Sequence, residues 1–413
     1  MTSSFRFSDV AELRNDKVDP ATCLGSRYIG LEHIEQNSLL LSGWGTAEDV
    51  DSQKQRFYEG DILFGKLRPY FRKVVIAPFD GICSTDIWVV KPVVASDRDF
   101  VFYWMASDDF IARATNASEG TRMPRAKWDW VSGFELPEMS LENRQIAGRI
   151  LRAMDFKISF NRSISKTLED LEQTIYKSWF IDFEPVKAKM TGEKPVSMDD
   201  ATAALFPDSM EDSELGPIPT GWKVQSLSEI GEFRNGLAMQ KFPVVDDGSI
   251  LPVIKIAQLR AGNTAGADLA SGLIDPKFVI SDSDILFSWS GTLEIEHWAG
   301  GPGALNQHLF KVLGKTVPDW FMFSSSRSHL PEFRKIASGK ATTMGHIQRT
   351  HLDEAKVAVP PVALLEKVGG FLSALVAKKV ALLVENRTLT EIRDALLPRL
   401  ISGELQIPEE LLV

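Results

Sequence analysis

Two long stretches of the chain place apolar residues at steps of three and four, which is the spacing of one stripe along an α-helix. The first stretch starts at Leu141 and meets no proline until Pro185, and the second has Pro398 near its end. A helix of about 40 residues is about 60 Å long and cannot bury such a stripe alone in water. We therefore expect the two helices to pack on each other. The stripes are Ile146, Ile150, Met154, Ile158, Ile164, Leu168, Leu171, Ile175 and Trp179, and Val368, Leu372, Leu375, Val380, Leu383, Leu389, Ile392 and Leu396.

Five short stretches recur in the same order in the two halves of the chain. Asp-Ile-Leu-Phe begins at Asp61 and again at Asp284, and the other pairs keep an offset of about 220 to 225 residues. Matches that hold both their order and their offset predict two copies of one fold. The other pairs are RYIGLEHIE with PVIKIAQLR, CSTDIWVV with LNQHLFKV, ASEGTRM with ASGKATTM, and NRSISKTLEDL with NRTLTEIRDAL.

The duplication bears on how the long helices pack. Two copies related by a two-fold axis would bring helices from equivalent positions together in antiparallel orientation. Two alternatives stay open at this point: each helix could lie on its own domain, or the domain could be duplicated without any functional pairing.

Each copy mixes short strands with helices. Val74–Ala77 and Ile87–Val90 are apolar and bounded by turn residues, which is typical of buried strands. The stretch from Asp97 has the pattern of a helix, and its counterpart begins at Val317. We therefore predict the α+β class, with two similar mixed α/β domains related by a pseudo-two-fold and separated by two long antiparallel helices. The predicted boundaries are a first domain (1–140), a first long helix (141–185), a linker (186–215), a second domain (216–361), a second long helix (362–402) and a tail (403–413).

Composition is that of an ordinary globular protein. The chain has 413 residues, of which 44% are apolar and 25% charged, enough for two or three domains. The chain contains no run of eighteen uncharged apolar residues, so the sequence predicts no membrane span. The first residues lack the apolar core of a signal peptide. Cys23 and Cys83 make neither a disulfide framework nor a zinc pattern. We therefore expect a cytoplasmic, reducing location.

The net charge of −10, taken alone, argues against nucleic-acid binding, which relies on cationic side chains. The charges are unevenly distributed, however. Residues 54–73 contain six lysines and arginines against two acids, whereas acids concentrate in residues 197–216. A local cationic surface is therefore compatible with the acidic total.

Enzyme motifs are missing from the sequence. Gly339-Lys340 lacks the pattern of a phosphate-binding loop, and the Asn/Asp-Pro-Pro-aromatic tetrapeptide of amino-methyltransferases does not occur. Asp319, Glu354 and Lys356 imitate a nuclease carboxylate set, but their spacing is long, and the six histidines lack metal-ligand spacing. We expect a non-catalytic chain without a metal site; a nuclease using these three residues is the enzyme alternative.

Several stretches resemble the specificity subunits of type I restriction–modification systems. IYKSWFIDFEPVKAK and LLPRLISGELQIPEE are similar to the ends of the two conserved helices of that family, and IPTGWKVQSL resembles the opening of a target-recognition domain. ELPEMSLENRQIAGRIL and AVPPVALLEKVGGFL resemble the junctions that close each domain. The first copy departs by lacking the Pro-x-Gly-Trp opening, and Gly369 and Gly370 are poor helix formers at the second junction.

The resemblance implies a DNA-recognition subunit with two target-recognition domains, each reading one half of a split DNA site. The family's helices set the gap between the halves and dock two modification subunits, which methylate adenine; restriction subunits join in some complexes. S-adenosylmethionine, ATP and Mg are implied only for the partner subunits, and no cofactor for this chain. The alternative from another class is a protein-interaction scaffold with two adaptor domains and no DNA role.

The stretch after each Asp-Ile-Leu-Phe is the first candidate DNA surface. In the first copy, cations and a tyrosine alternate, so in a strand they would share one face, which suits phosphate contacts and base reading. A solvated edge strand guarded by cations is an equal alternative from the pattern alone. The second copy differs here, so we expect an asymmetric DNA site. The candidates are Lys66, Arg68, Tyr70, Arg72 and Lys73 in the first copy, and Trp289, Ser290 and Thr292 in the second.

A glycine-containing loop before each long helix is the second candidate DNA surface. Donors beside a flexible turn can approach a phosphate closely. The alternative is a loop that only connects the domain to the strand before the helix. The candidates are Arg122, Arg125 and Lys127 in the first copy, and Lys340, Thr342, Thr343, His346 and Arg349 in the second.

Overall fold

The chain folds into two compact units. The first comprises residues 1–157 and 389–413, and the second comprises residues 158–388, so both long helices contribute to both units. Within the described part of the chain, no helix is long and apolar enough to span a membrane. The computed structural model describes residues 5–37, 39–119, 123–245, 248–339 and 345–405.

The first unit consists of short strands followed by helices, as the alternation of turn residues and apolar runs predicts. Its strands are β1 (Ala11–Arg14), β2 (Lys17–Val18), β3 (Arg27–Ile29), β4 (Gly45–Thr46), β5 (Lys54–Phe57), β6 (Ile62–Gly65), β7 (Val74–Ile76), β8 (Gly81–Cys83), β9 (Ile87–Pro92), β10 (Ser118–Glu119) and β11 (Arg125–Ala126). Its helices are α1 (Arg98–Ala106), α2 (Asp108–Asn116), α3 (Trp128–Val131) and the start of the first long helix, α4 (Leu141–Tyr176).

Two sheets carry the core of the first unit. An antiparallel sheet has the strand order β1-β9-β6-β7, and a mixed sheet has the order β2-β5-β8-β3-β4 with β3 and β8 parallel. Strand β6 contains the Ile-Leu-Phe of the repeated motif. Ile62 and Phe64 are buried in a core with α1 and α2, whereas Leu63 is buried in a separate core on the opposite face. The motif is apolar throughout because β6 is buried on both faces.

The second unit repeats this order of elements. Before its domain lie α5 (Glu184–Met190), α6 (Asp200–Ala203), β12 (Met210–Glu211) and β13 (Ile218–Pro219). The domain strands are β14 (Lys223–Ser226), β15 (Gly231–Asn235), β16 (Ile250–Ile254), β17 (Leu269–Ser271), β18 (Val279–Ile280), β19 (Ile285–Ser288), β20 (Ile295–His297), β21 (Gly303–Leu305), β22 (Leu309–Gly314) and β23 (Lys356–Val359). The helices are α7 (Leu227–Ile230), α8 (Ile256–Ala261), α9 (Asp319–Ser328), α10 (Leu330–Ser338), α11 (Arg349–Glu354) and the second long helix, α12 (Val362–Ile401).

The sheets of the second unit have the connectivity of those in the first. The antiparallel sheet has the order β15-β22-β19-β20, and β19 pairs with β22 through Ile285 and Val312 as β6 pairs with β9 through Ile62 and Val90. In the other sheet β16 and β21 are parallel, as β3 and β8 are. Strand β19 is also buried on both faces. The prediction of two similar mixed α/β domains is confirmed.

The long helices contact each other within each unit. In the second unit, Asn161 Nδ2 donates to Asn386 Oδ1 at 3.0 Å, and Glu169 pairs with Lys379 at 2.8 Å. Partner numbers fall along α12 as they rise along α4, so the helices are antiparallel there. In the first unit, Arg393 pairs with Asp155 at 2.7 Å. The prediction that the two long helices pack on each other in antiparallel orientation is therefore confirmed within each unit.

Gly148 and Gly369 of the long helices are sites of close approach, whereas a Cβ at Gly370 would meet no neighbour within 4 Å. A Cβ at Gly148 would lie 2.6 Å from the backbone nitrogen of Phe100, and one at Gly369 would lie 3.0 Å from Trp320 Nε1. Gly369 is therefore used for packing despite its poor helix propensity, and α12 runs through it unbroken. The helices begin 221 residues apart and the Asn161–Asn386 pair is 225 apart, so α12 has four more residues before its asparagine.

Three sequence predictions differ from the structure. The predicted helix from Asp97 is two helices, because the Ser107 hydroxyl accepts the Phe110 N–H and starts α2 anew. The first long helix ends at Tyr176, before a π-helical turn at 177–181, rather than at residue 185. The predicted linker is partly packed, since Val186 and Phe206 are buried in the core of the second unit. The domain boundaries themselves stay predictions.

Candidate nucleic-acid interface

The chain after β6 does not continue as a strand. Pro69 has no N–H for a ladder and fixes its own φ, and the chain turns into a 3₁₀ helix at Pro69–Phe71. Arg68 and Arg72 flank this turn with φ of 53° and 46°, a left-handed conformation that few non-glycine residues adopt. The predicted alternation of Lys66, Arg68, Tyr70 and Arg72 on one strand face is therefore wrong.

The structure uses two of the predicted cations inside the first unit. Arg72 pairs with Asp108 at the start of α2. Lys73 Nζ donates to the carbonyl of Leu31, and its partial burial lowers the pKa of the ammonium, against the opposing effect of Glu32. Tyr70 is exposed and lies edge-on against Phe71. Arg72 and Lys73 thus hold neighbouring elements in place.

The segment after β6 lies beside the loop that precedes α3. Leu67 forms an antiparallel bridge with Arg125, the Arg68 N–H donates to the Pro124 carbonyl at 2.8 Å, and the Ala126 N–H donates to the Lys66 carbonyl at 3.0 Å. The two stretches that the sequence singled out separately therefore form one surface. We call residues 66–68 and 124–127 the first loop surface.

A carboxylate holds the central arginine of the first loop surface. Arg125 Nε lies 2.7 Å from Asp86 Oδ1, and Arg125 Nη2 lies 3.0 Å from Asp86 Oδ2. This is a two-point fork, which fixes the plane of the guanidinium as well as its position. The hydrogen bonds that Arg125 donates to Asp86 also raise the pKa of the guanidinium. Lys66 and Arg68 are partly exposed, and Lys127 is exposed.

The second unit builds an equivalent surface from the same backbone contacts. Ser290 forms an antiparallel bridge with His346, the Gly291 N–H donates to the Gly345 carbonyl at 2.8 Å, and the Ile347 N–H donates to the Trp289 carbonyl at 3.0 Å. Each bond matches one of the first unit at an offset of 221 to 223 residues. We call residues 289–291 and 345–347 the second loop surface.

The side chains of the second loop surface differ completely from those of the first. Trp289 Nε1 lies 3.1 Å from both Asn235 Oδ1 and the Gln307 carbonyl, and Ser290 Oγ lies 3.0 Å from His308 Nδ1. Ser290 is buried, so its hydroxyl serves His308 rather than solvent. Thr292 lies just beyond this surface and is exposed, as is Arg349 at the start of α11. The second loop surface therefore presents imidazole and indole groups where the first presents cations.

Sequence reasoning missed Asp86 and His308. They occupy equivalent positions, since each directly precedes the long strand of its antiparallel sheet, β9 or β22. The matched stretches CSTDIWVV and LNQHLFKV contained this signal, because they set the aspartate of one against the histidine of the other. Both residues contact the loop surface of their own unit. Arg122, Lys340, Thr342 and Thr343 lie outside the described residues.

Two of the three residues of the nuclease alternative, Asp319 and Lys356, have structural partners. Asp319 Oδ1 accepts the Gly314 N–H at 2.7 Å, and Lys356 Nζ lies 3.9 Å from Glu229. Across the described ranges, no cluster of three or more His, Cys, Asp or Glu side chains could hold a metal ion.

Comparison with known proteins gives consistent matches. The model of the type I restriction modification DNA specificity domain matches residues 219–392. The specificity subunit of the type I restriction enzyme HindI from Haemophilus influenzae is 24% identical over 434 residues, covering 92% of this chain and 94% of that protein. The EcoDI specificity subunit from Escherichia coli is 29% identical over 212 residues, covering 49% of this chain and 47% of that protein.

A solved structure is similar in fold. The crystal structure of the S subunit of a type I restriction–modification system from M. genitalium covers 98% of this chain and 96% of its own. The TM-score is 0.56 at 14% sequence identity. The mixed α/β architecture found here is therefore shared with that protein.

Proposed function

We propose that the two units of this chain each recognise one half of a bipartite DNA site, because the chain belongs to the specificity subunits of type I restriction–modification systems. The observation that carries the proposal is the pair of loop surfaces, which share three backbone contacts and differ in their side chains. A constant frame with variable side chains is what two readers of different base sequences require.

The two loop surfaces favour different kinds of contact, so the DNA site is asymmetric. In the first loop surface, Lys66, Arg68 and Lys127 suit contacts with DNA phosphates, and Arg125 suits contacts with base edges. The second has His308 and His346, whose rings can donate or accept, beside the aromatic face of Trp289.

The chain is a non-catalytic subunit that assembles with the other subunits of its system and with DNA. Two modification subunits dock on the long helices and methylate adenines on either side of the gap, using S-adenosylmethionine. Restriction subunits, where they join, supply the chemistry that needs ATP and Mg. The long antiparallel helices support this division, because they offer a scaffold of fixed length.

The acidic total charge predicts weak DNA binding by the isolated chain. At physiological salt we expect a Kd of about 10⁻⁴–10⁻⁶ M for the chain alone, the range of non-specific complexes. With modification subunits we expect about 10⁻⁸–10⁻¹¹ M, because the partners add phosphate contacts. Titrating labelled duplexes with and without these subunits measures both values. Equal affinity in the two titrations would show that the modification subunits add no phosphate contacts.

Mapping methylated adenines in the host genome, with and without this gene, tests the function itself. The expected result is one asymmetric, gapped motif that loses methylation when the gene is deleted. The protein-interaction scaffold predicts instead no sequence-dependent retention on DNA with all partners present. A methylation map that is unchanged by the deletion would refute the DNA-recognition function.

A further inference from the structure

We infer that Arg125 reads a guanine in the half-site bound by the first unit, and that Asp86 is a positioning residue that holds the Arg125 guanidinium for this contact. The inference rests on the proposed function and adds to it a base identity and the two residues responsible.

The geometry of the Asp86–Arg125 pair leaves the right donors available. A guanidinium has five N–H groups, and Asp86 engages one on Nε and one on Nη2. The three that remain are both N–H groups of Nη1 and the second one of Nη2. One donor from each of these nitrogens forms the end-on fork, which matches the N7 and O6 acceptors of guanine in the major groove. Asp86 thus occupies the side-on edge of Arg125 and leaves the end-on edge for DNA.

The backbone beneath Arg125 is held on both sides. Residue 125 faces Leu67 across one bridge, and β11 pairs with β10 on its other edge. Two hydrogen bonds hold the residues that flank Arg125: the Arg68 N–H donates to the Pro124 carbonyl, and the Ala126 N–H donates to the Lys66 carbonyl. A side chain whose backbone and guanidinium plane are both fixed loses little conformational entropy on binding, which is the condition for discriminating base reading.

The Asp86–Arg125 ion pair is too exposed for stabilisation of the fold to explain its presence. The Arg125 side chain is 44% exposed and Asp86 is 24% exposed, so the fork faces solvent. An exposed ion pair contributes little to stability. A carboxylate beside Lys66, Arg68 and Lys127 also repels the phosphates that these cations attract. Its place on this surface is explained if it orients the residue that reads a base.

At the equivalent positions, the described part of the second unit has two histidines in place of the arginine–carboxylate fork. His346 occupies the position of Arg125, and His308 occupies the position of Asp86. An imidazole cannot offer two parallel donors to N7 and O6. The second unit therefore cannot make this fork contact through the equivalent residue, so we expect the Arg125 contact in one half of the DNA site only.

The test maps methylated adenines in cells that carry the full system with Arg125→Lys, Asp86→Asn or Asp86→Glu. Lysine keeps the charge but not the fork, so we expect about 5- to 150-fold less discrimination at one G·C pair of one half-site. Asp86→Asn should relax the same pair, because an amide oxygen accepts only one N–H of the fork. Asp86→Glu restores a carboxylate and should retain more discrimination than Asp86→Asn.

Two controls fix the interpretation. Asp109→Asn removes the partner of Arg113 from an exposed ion pair of 2.9 Å on α2 of the same unit, and should leave the motif unchanged. His346→Ala should alter only the other half-site. Intact discrimination in that other half shows that each Asp86 or Arg125 variant is folded.

The outcomes separate the inference from the function on which it rests. A normal gapped motif that survives Arg125→Lys and Asp86→Asn unchanged overturns the inference and leaves the function standing. Relaxation at an A·T pair, or equally in both halves, overturns it as well. If the unaltered chain directs no sequence-dependent methylation, the proposed function fails first.

Discussion

Replacing Lys379 with methionine is expected to lower the free energy of unfolding of the second unit by about 3–5 kcal/mol. The Lys379 side chain is 8% exposed, and its ammonium lies 2.8 Å from Glu169 of α4 and 3.4 Å from Glu296 of β20. Arg327 of α9 pairs with Glu169 as well. Removing the lysine leaves two partly buried carboxylates with only Arg327 to balance them, and the desolvation cost of these charges is then less compensated.

The loss caused by Lys379→Met should be larger at pH 8 than at pH 5. Burial would raise the pKa of Glu169, but Lys379 and Arg327 outweigh it and hold that pKa low, so its stabilising effect exists above the unfolded pKa and fades in acid. Burial raises the pKa of Glu296 and of Glu172, so both disfavour the fold increasingly as pH rises. Without the lysine these pKa values rise further, and protonation at low pH relieves the damage.

Urea unfolding of the two chains at both pH values, followed by a probe in the second unit, measures the effect. Lys378→Met is the matched control, because Lys378 is the exposed neighbour on the same helix, and it should change stability by less than about 0.5 kcal/mol. Equal unfolding midpoints for the two variants would show that the Lys379 cluster does not stabilise the unit.

Replacing Arg144 with methionine is expected to cost the first unit about 3–5 kcal/mol. Arg144 Nε lies 2.8 Å from Asp97 Oδ2, and the two side chains are 10% and 1% exposed. The guanidinium also donates to the Met139 carbonyl at 2.8 Å and lies over the ring of Phe5. Arg144 therefore joins the start of α4 to the start of α1, which is how the recognition domain is fixed to its long helix.

Burial raises the pKa of Asp97 and Arg144 opposes this rise, so the Arg144→Met deficit should shrink as pH falls. A group whose folded pKa lies above its unfolded one stabilises the fold when protonated and loses that effect as pH rises through the folded pKa. Thermal unfolding at pH 5 and pH 8 provides the measurement. Arg149→Met, an exposed change on the same helix, is the control. A deficit that is independent of pH would contradict the buried-charge explanation.

The repeat, the paired helices and the mixed domains were predictable because each leaves a local or periodic signal. Three- and four-residue spacing is visible in one sequence, and the Ile-Leu-Phe core of β6 and β19 is apolar because both faces of the strand are buried. The two candidate DNA stretches were singled out separately, and the structure places them side by side in each unit.

The arrangement within that surface was not predictable. The hydrogen bond between Ala126 and Lys66 joins residues 60 positions apart, and no periodicity in the sequence indicates such a contact. The left-handed conformations of Arg68 and Arg72 depend on the turn at Pro69, where alternation of charge suggested a strand. Asp86 could not be chosen from the sequence, because an acid is unfavourable on a proposed DNA surface until its arginine partner is known.

The contact between Asn161 and Asn386 limits how the long helices can change. Both amides are buried, and each is the repeat counterpart of the other. Sliding one helix by four residues would set Asn161 against Leu382 and leave its amide in hydrocarbon, which the protein would tolerate poorly. Insertions into either long helix are therefore expected to be accommodated only where the pairing of Asn161 with Asn386 is kept.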